Sequence, residues 1–146
     1  MSTYFDTGVL LKSYVTEKNS ANADALILQA MLPIPFTHFH DIEMRTALRL
    51  KHGRGEITAA ELKGALRDLQ VDISEGRLAK PACDLPDVFR AAEELSSKYA
   101  AVTLARSMDI LHVAAAVVIG AKTSVTFDTR QAALATKAGL KAKTQA

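Results

Sequence analysis

The chain of 146 residues is 49% hydrophobic, 23% charged and 5% aromatic, and its length is that of one ordinary globular domain. Its single cysteine, Cys83, excludes an internal disulfide framework. The longest uncharged apolar run, residues 110–121, is shorter than the roughly 20 residues needed to cross a bilayer, and no secretory signal is visible. We expect one domain over residues 1–146, without a membrane span and in the cytoplasm.

The charged residues are unevenly distributed. Eighteen Lys and Arg against sixteen Asp and Glu give a formal net charge of +2, which permits a polyanionic partner without requiring one. Four acids stand alone among apolar residues: Asp6, Glu43, Asp109 and Asp128. Isolated acids in apolar surroundings are energetically costly unless they are paired or bind a metal. These four acids are therefore the first candidates for a functional site.

The first half of the chain is predicted to contain two short strands and four helices. The strands are expected at 3–5 and 34–37, and the helices at 9–15, 23–31, 39–52 and 58–71. Ser20 is predicted to be the N-cap of the second helix, and Pro35 would confine its strand to an edge or to the strand's first residues. Thr58 followed by Glu61 is typical of a capping box.

The second half is predicted to alternate helices and strands. Helices are expected at 84–99, 104–119 and 129–138, and strands at 123–127 and 140–143. The helix over 104–119 is apolar almost all round, which is typical of the central helix of a fold. Gly139 is a natural residue for the end of the last helix. Strands separated by helices predict an α/β fold around a mainly parallel sheet.

The predicted topology brings the four isolated acids toward one edge of this sheet. Asp6 and Asp128 each follow an apolar strand, and ligands of parallel sheets gather beyond the carboxyl ends of the strands. Glu43 and Asp109 lie in early helical turns, where the positive end of the helix dipole favours a carboxylate. For Asp128, a helix N-cap is the competing interpretation.

A cluster of acids has a limited set of stable states. Two like charges about 4 Å apart repel by about 4 kcal/mol at an effective dielectric constant near 20. The acids must therefore protonate in part, spread apart or hold a cation. Oxygen ligands without cysteine or paired histidine favour Mg²⁺ or Mn²⁺ over Zn²⁺, and such an ion commonly shares its coordination with a phosphate. This combination indicates phosphodiester chemistry.

The four acids lie in segments that resemble the four motifs of the PIN-domain ribonucleases. These segments are residues 4–12 (YFDTGVLLK), 41–48 (DIEMRTAL), 106–116 (RSMDILHVAAA) and 126–131 (TFDTRQ). Within that family the chain is most similar to the VapC-like toxins of bacterial toxin and antitoxin pairs. The resemblance runs from residue 4 to about residue 140.

The resemblance implies a three-layer α/β/α sandwich, cleavage of RNA that depends on Mg²⁺ or Mn²⁺, and often a homodimer inhibited by a cognate antitoxin. The catalytic and metal-binding acids of the family correspond to Asp6, Glu43, Asp109 and Asp128. The chain departs from the family at Gly8, where many members have Ser or Asn that helps to position the first Asp. Either Thr7 supplies that polar contact here or the site is less ordered.

Several other polar residues are candidates for the site. The substrate-binding candidates are Thr7, Lys12, Arg45, Arg106 and Arg130, of which the cations would contact phosphates. Solvated helix surface is the competing interpretation for each cation. His112, three residues after Asp109, is expected to be a hydrogen-bonded core imidazole and not a general base. His38 and His40 alone are weak evidence for zinc.

The sequence therefore favours a metal-dependent endoribonuclease, the toxin of a toxin and antitoxin pair. A haloacid-dehalogenase-type phosphatase needs a second Asp two positions after the first, where this chain has Gly8. A response-regulator receiver domain needs an early acidic pair and a late Lys, which are not evident. The alternative is a non-catalytic module on a PIN scaffold that binds RNA or another protein.

Overall fold

A computed structural model describes residues 3–145, with five strands and seven helices in that range. The predicted domain also includes residues 1, 2 and 146, which lie outside the described residues. The strands are β1 (Thr3–Phe5), β2 (Ile34–Pro35), β3 (Leu78–Ala79), β4 (Thr123–Val125) and β5 (Lys141–Lys143). The helices are α1 (Thr7–Leu11), α2 (Ser20–Leu28), α3 (His38–Gly53), α4 (Ala59–Ser74), α5 (Leu85–Thr103), α6 (Ser107–Val118) and α7 (Thr129–Lys137).

The strands form a small parallel sheet system. Strand β4 lies between β1 and β5 and is parallel to both, with Phe5, Val125 and Lys143 in one register row. Strands β2 and β3 form a separate parallel pair, and β2 lies beside β1. The mixed α/β class and the parallel strand direction are confirmed. Parallel neighbours need helical crossovers, which explains why helices separate the strands.

The hydrophobic core has two parts that meet at β1. Successive side chains of a strand point to opposite faces, and Tyr4 and Phe5 accordingly enter different clusters. Tyr4 packs with residues of α5, α6 and α7, whereas Phe5 packs with residues of α1, α2, α3 and α4. The end of β1 is therefore held from both sides, and Asp6 follows at that end.

Helix α6 has a deeply buried central part, as its apolar composition predicts. Val113 and residues 114–116 are at most 1% exposed. The helix begins at Ser107 and not at the predicted residue 104, because Leu104 has the left-handed φ of 59° that ends α5. Between residues 3 and 145, no helix is long and apolar enough to span a membrane, consistent with the sequence prediction.

Helix α4 begins at its predicted capping box, whereas α1 and α2, like α6, begin at residues other than those predicted. The capping box of α4 is confirmed, with Thr58 and Glu61 each accepting the other's backbone N–H. Helix α2 begins at Ser20 itself, after a left-handed Asn19, so Ser20 is not its N-cap. Helix α1 begins two residues earlier than predicted, because the carbonyl of Asp6 accepts from the N–H groups of Val9 and Leu10.

Candidate functional site

Asp6 stands where β1 passes into α1 and is partly buried. The hydroxyl of Thr126, which is fully buried, donates a hydrogen bond of 3.1 Å to Oδ2 of Asp6. Burial raises the pKa of Asp6, the charges of Glu43 and Asp109 raise it further, and His112 and Thr126 oppose the rise. The carboxyl group of Asp6 therefore lies within the electrostatic reach of two other predicted site acids.

Glu43 lies on α3 and is anchored at one carboxylate oxygen. The Thr7 hydroxyl donates to Oε1 of Glu43 at 2.9 Å, and Nε2 of His112 contacts the same oxygen. Burial alone would raise the pKa of Glu43, but the hydrogen bonds and the charge of His112 outweigh it, so that the pKa lies below its usual value. Thr7 thus supplies a polar contact to Glu43 and not to Asp6, whose hydroxyl partner is Thr126.

Asp109 occupies the first turn of α6 and has a helix-capping role. Its Oδ2 accepts the backbone N–H of Arg106 at 3.0 Å. A carboxylate in the first turn is also stabilised by the helix dipole. The side chain is partly buried, and its charge acts on Asp6.

Asp128 is the N-cap of α7, so the competing interpretation of this residue as a helix N-cap is confirmed. Its Oδ1 accepts the backbone N–H groups of Arg130 at 2.8 Å and Gln131 at 3.1 Å. Its own N–H donates to the Thr126 hydroxyl at 3.0 Å. Because the same hydroxyl donates to Asp6, Thr126 links the two strand-end acids.

The four acids have a common hydrogen-bond pattern but do not form a metal cage. Within the part of the chain that the structure describes, each carboxylate uses one oxygen in hydrogen bonds: Oδ2 of Asp6, Oε1 of Glu43, Oδ2 of Asp109 and Oδ1 of Asp128. The second oxygens are chemically suited to a hard cation. Over residues 3–145, no group of three or more His, Cys, Asp or Glu side chains is arranged so that it could hold a metal ion.

For His112 the structure confirms the predicted environment and adds a contact that the sequence does not predict. It is 1% exposed, and its Nδ1 lies 2.6 Å from the Tyr4 hydroxyl, so the prediction of a hydrogen-bonded core imidazole is confirmed. Its contact with Glu43 was not predicted. The two residues are 69 positions apart, and no local sequence pattern could have indicated that pairing.

His40 is fully buried, and both of its ring nitrogens have protein partners. Nδ1 accepts the backbone N–H of Thr37 at 2.9 Å, so Nε2 carries the proton and donates to the carbonyl of Phe5 at 2.7 Å. Burial, with the charge of His112, lowers the pKa of His40 to about 3. These contacts tie the start of α3 to the end of β1.

The predicted phosphate-contacting cations differ in their surroundings. Lys12 forms an ion pair of 2.7 Å with Glu17. Arg45 pairs with Asp41 at 2.8 Å. Arg106 and Arg130 are exposed next to Asp109 and Asp128 along the chain, and their role in substrate binding stays a prediction.

The sequence matches none of the protein-family models with which it was compared, and no curated protein matches it.

Proposed function

We propose that this protein is a metal-dependent endoribonuclease of the PIN type and the toxin of a toxin and antitoxin pair. The observation that carries the proposal is that Asp6, at the end of β1, lies within the electrostatic reach of Glu43 on α3 and Asp109 on α6. The charges of these two carboxylates add to burial in raising the pKa of Asp6, and a cation would offset this effect. The four motif-like segments and the parallel α/β fold support the same proposal.

The proposal includes the finer architecture of a three-layer α/β/α sandwich. The two hydrophobic clusters that meet at β1 support it, because one contains residues of α1 to α4 and the other residues of α5 to α7. On this view, β1 and β2 join the two parallel strand groups into one continuous layer. The carboxyl ends of β1 and β4 then form the edge at which a substrate binds.

The ion in this proposal is Mg²⁺ or Mn²⁺. The chemistry of the donors suits either ion, since all four side chains are carboxylates and each has a second oxygen without a hydrogen bond among the described residues. The side chains are not arranged as a metal site over residues 3–145, so binding an ion would draw them closer together. Asp6, Glu43 and Asp109 would hold the principal ion, and Asp128 would serve a second ion or orient the attacking water. When bound, the metal supplies polarisation of the scissile phosphate and an activated water.

The remaining polar groups of the site would hold the carboxylates in position or bind the RNA. Thr126 holds Asp6, while Thr7 and His112 hold Glu43, so one oxygen of each carboxylate is fixed by hydrogen bonds. Arg106 and Arg130 would contact phosphates of the RNA backbone, together with Lys12 and Arg45 if their ion pairs open. Such contacts give an affinity that falls with salt and carries no base preference.

A cognate antitoxin, a homodimer and a cytoplasmic location are part of the same proposal. An Arg or Lys of an antitoxin that entered the acidic site would neutralise the carboxylates without supporting hydrolysis. Asp6 in particular would gain from such a cation, because burial and neighbouring charges raise its pKa.

One observation favours the alternative of a non-catalytic module that binds RNA or another protein. Asp109 accepts the N–H of Arg106, and Asp128 caps α7. Both acids therefore have structural functions that explain their presence without catalysis. Activity measurements on substituted proteins separate the two candidates.

The deciding experiment measures cleavage of a structured RNA with Mn²⁺ and with a chelator. We expect the purified protein to cleave only with the ion, and Asp6→Asn, Glu43→Gln and Asp109→Asn each to reduce the rate at least about 100-fold, the scale of losing a group that acts in the transition state. Asp68→Asn, an exposed change on α4, is the matched control and keeps the wild-type rate. Equal rates in all variants would refute the nuclease.

A further inference from the structure

A chain of hydrogen bonds connects the core to the proposed site. It begins at the fully buried Tyr4 of β1, passes through His112 of α6 and ends at Glu43 of α3. The hydroxyl of Thr7 reinforces its end, because it lies 2.9 Å from Oε1 of Glu43 and 3.3 Å from Nε2 of His112. Residues from three distant segments are thus joined by one imidazole ring.

The contacts determine which nitrogen of His112 faces Glu43. An ionised carboxylate only accepts hydrogen bonds, so Nε2, which contacts Oε1 of Glu43, is the donor. The other ring nitrogen, Nδ1, lies 2.6 Å from the Tyr4 hydroxyl, a group that can both donate and accept. Tyr4 therefore holds the ring at Nδ1 while Nε2 directs an N–H toward Glu43.

The ring is also held in orientation by its neighbours. The Tyr4 ring meets the His112 ring edge to face with centroids 5.7 Å apart, and Phe39 does so at 6.3 Å. The ring of His40 lies 4.7 Å away and is itself fixed by Phe5 and Thr37. Turning the imidazole over would break both hydrogen bonds in a fully packed environment, so Nε2 stays directed at Glu43.

We infer that His112 is a positioning residue, held by Tyr4, which fixes Oε1 of Glu43 and leaves Oε2 as the oxygen that binds the divalent cation. The inference rests on the proposed nuclease function. It assigns no proton transfer to His112, whose 1% exposure keeps it from the substrate. Partners that orient a metal-binding side chain from behind typically change metal affinity or activity by about 10–100-fold when they are lost.

Two substitutions of His112 test the contacts of its two ring nitrogens separately. In His112→Gln the side-chain amide N–H lies near the position of Nε2 and still reaches Glu43. In His112→Asn the shorter side chain lies near the position of Nδ1, keeps a partner for Tyr4 and does not reach Glu43. Both variants lose the imidazole and its packing. Because His112→Asn keeps the contact with Tyr4 and His112→Gln loses it, a weaker Mn²⁺ affinity in His112→Asn reports on the hydrogen bond to Glu43.

The test measures Mn²⁺ binding by calorimetry without RNA, cleavage of RNA, and the ¹⁵N chemical shifts of the wild-type ring. We expect a proton on Nε2 of the wild-type ring, wild-type Mn²⁺ affinity within about threefold for His112→Gln, and an affinity about 10–100-fold weaker for His112→Asn. A ring without a proton on Nε2, or equal affinities in the two folded variants, overturns the positioning role. A wild-type protein that neither binds Mn²⁺ nor cleaves RNA overturns the proposed function instead.

Discussion

Gly8 is the residue at which one added side chain would most directly change the surroundings of Asp6. A Cβ atom built at Gly8 would lie 3.5 Å from Oδ2 of Asp6, an ordinary contact, and the position is exposed in α1. A side chain is therefore tolerated there. The Gly8→Ala and Gly8→Ser proteins should each gain about 0.4–1 kcal/mol in the free energy of unfolding, because glycine loses more backbone entropy on folding.

The same pair of variants tests whether the position can supply a polar contact to Asp6. A serine hydroxyl that donates to the carboxylate favours its charged form, which alanine cannot do. We expect the pKa of Asp6, followed by NMR titration of its side-chain carbon, to be lower in Gly8→Ser than in Gly8→Ala. Identical titration curves would show that the hydroxyl does not reach Asp6.

His40 gives the protein a defined dependence of stability on pH. Its pKa falls from 6.5 in the unfolded chain to about 3 in the folded one, because burial disfavours the imidazolium. Between these values the unfolded state binds the extra proton, so the contribution of His40 is complete above about pH 6.5 and is lost as the pH falls toward 3. The slope is at most about 1.4 kcal/mol per pH unit for one proton.

The contribution of His40 is measured by urea unfolding at several pH values between 7 and 4.5. The His40→Asn protein is the reference, because it keeps the carboxyl groups that also titrate in this range. We expect the free energy of unfolding of the wild type to fall more steeply on acidification than that of the variant. Parallel curves would contradict a neutral His40 in the folded protein.

At the scale of single residues, the sequence predicts the chemical character of a side chain better than it predicts the residue to which that side chain is hydrogen-bonded. It predicted a buried, hydrogen-bonded His112, because the residue lies on an apolar helix. It also considered Thr7 as a polar contact, but placed that contact at Asp6, whereas the hydroxyl donates to Glu43. Such pairings depend on how separate helices and strands pack against one another. The spacing of residues along the chain contains no information on this packing.

At the scale of elements, Asp128 has an N-cap role and a proposed role in hydrolysis, and one pair of substitutions can separate the two. Its Oδ1 accepts two N–H groups at the start of α7. Asparagine keeps an acceptor oxygen at that position, whereas alanine removes it. We expect Asp128→Ala to lower the free energy of unfolding by about 0.5–2 kcal/mol, and Asp128→Asn to change it by much less.

Cleavage assays on the same two proteins then show whether the negative charge of Asp128 is needed for hydrolysis. If the carboxylate acts in hydrolysis, Asp128→Asn loses activity although its stability is kept. If Asp128 is an N-cap only, Asp128→Asn cleaves RNA at the wild-type rate. Thermal and urea unfolding curves of both variants provide the stability comparison.

The elements that the sequence predicted well have strong local signals. Helix α4 begins with a capping box of Thr58 and Glu61, and helix α6 has a long apolar run. Strand β3 was not predicted, because it is two residues long and exists only through its pairing with β2. Leu104 was assigned to α6, although it ends α5 in a left-handed conformation that ordinary spacing does not indicate.

At the scale of the whole molecule, the fold concentrates negative charge that the average composition hides. The formal net charge is +2, yet Asp6 at the end of β1 lies within the electrostatic reach of Glu43 on α3 and Asp109 on α6. A like-charge cluster stores unfavourable energy that a cation or a neutral substitution releases. The thermal stability of the entire domain therefore reports on this one site.

We expect Mn²⁺ at about 100 times its dissociation constant to stabilise the folded state by about 2.7 kcal/mol. This stabilisation would raise the thermal midpoint by about 5–10 °C in a chain of this size. Without metal, Asp109→Asn should raise the midpoint by about 2–4 °C, because it removes one like charge and keeps an oxygen for the N–H of Arg106. The same variant should lose most of the response to Mn²⁺, whereas Asp68→Asn should match the wild type in both measurements. Midpoints that respond to neither the ion nor the substitution would leave Asp109 with its helix-capping role alone.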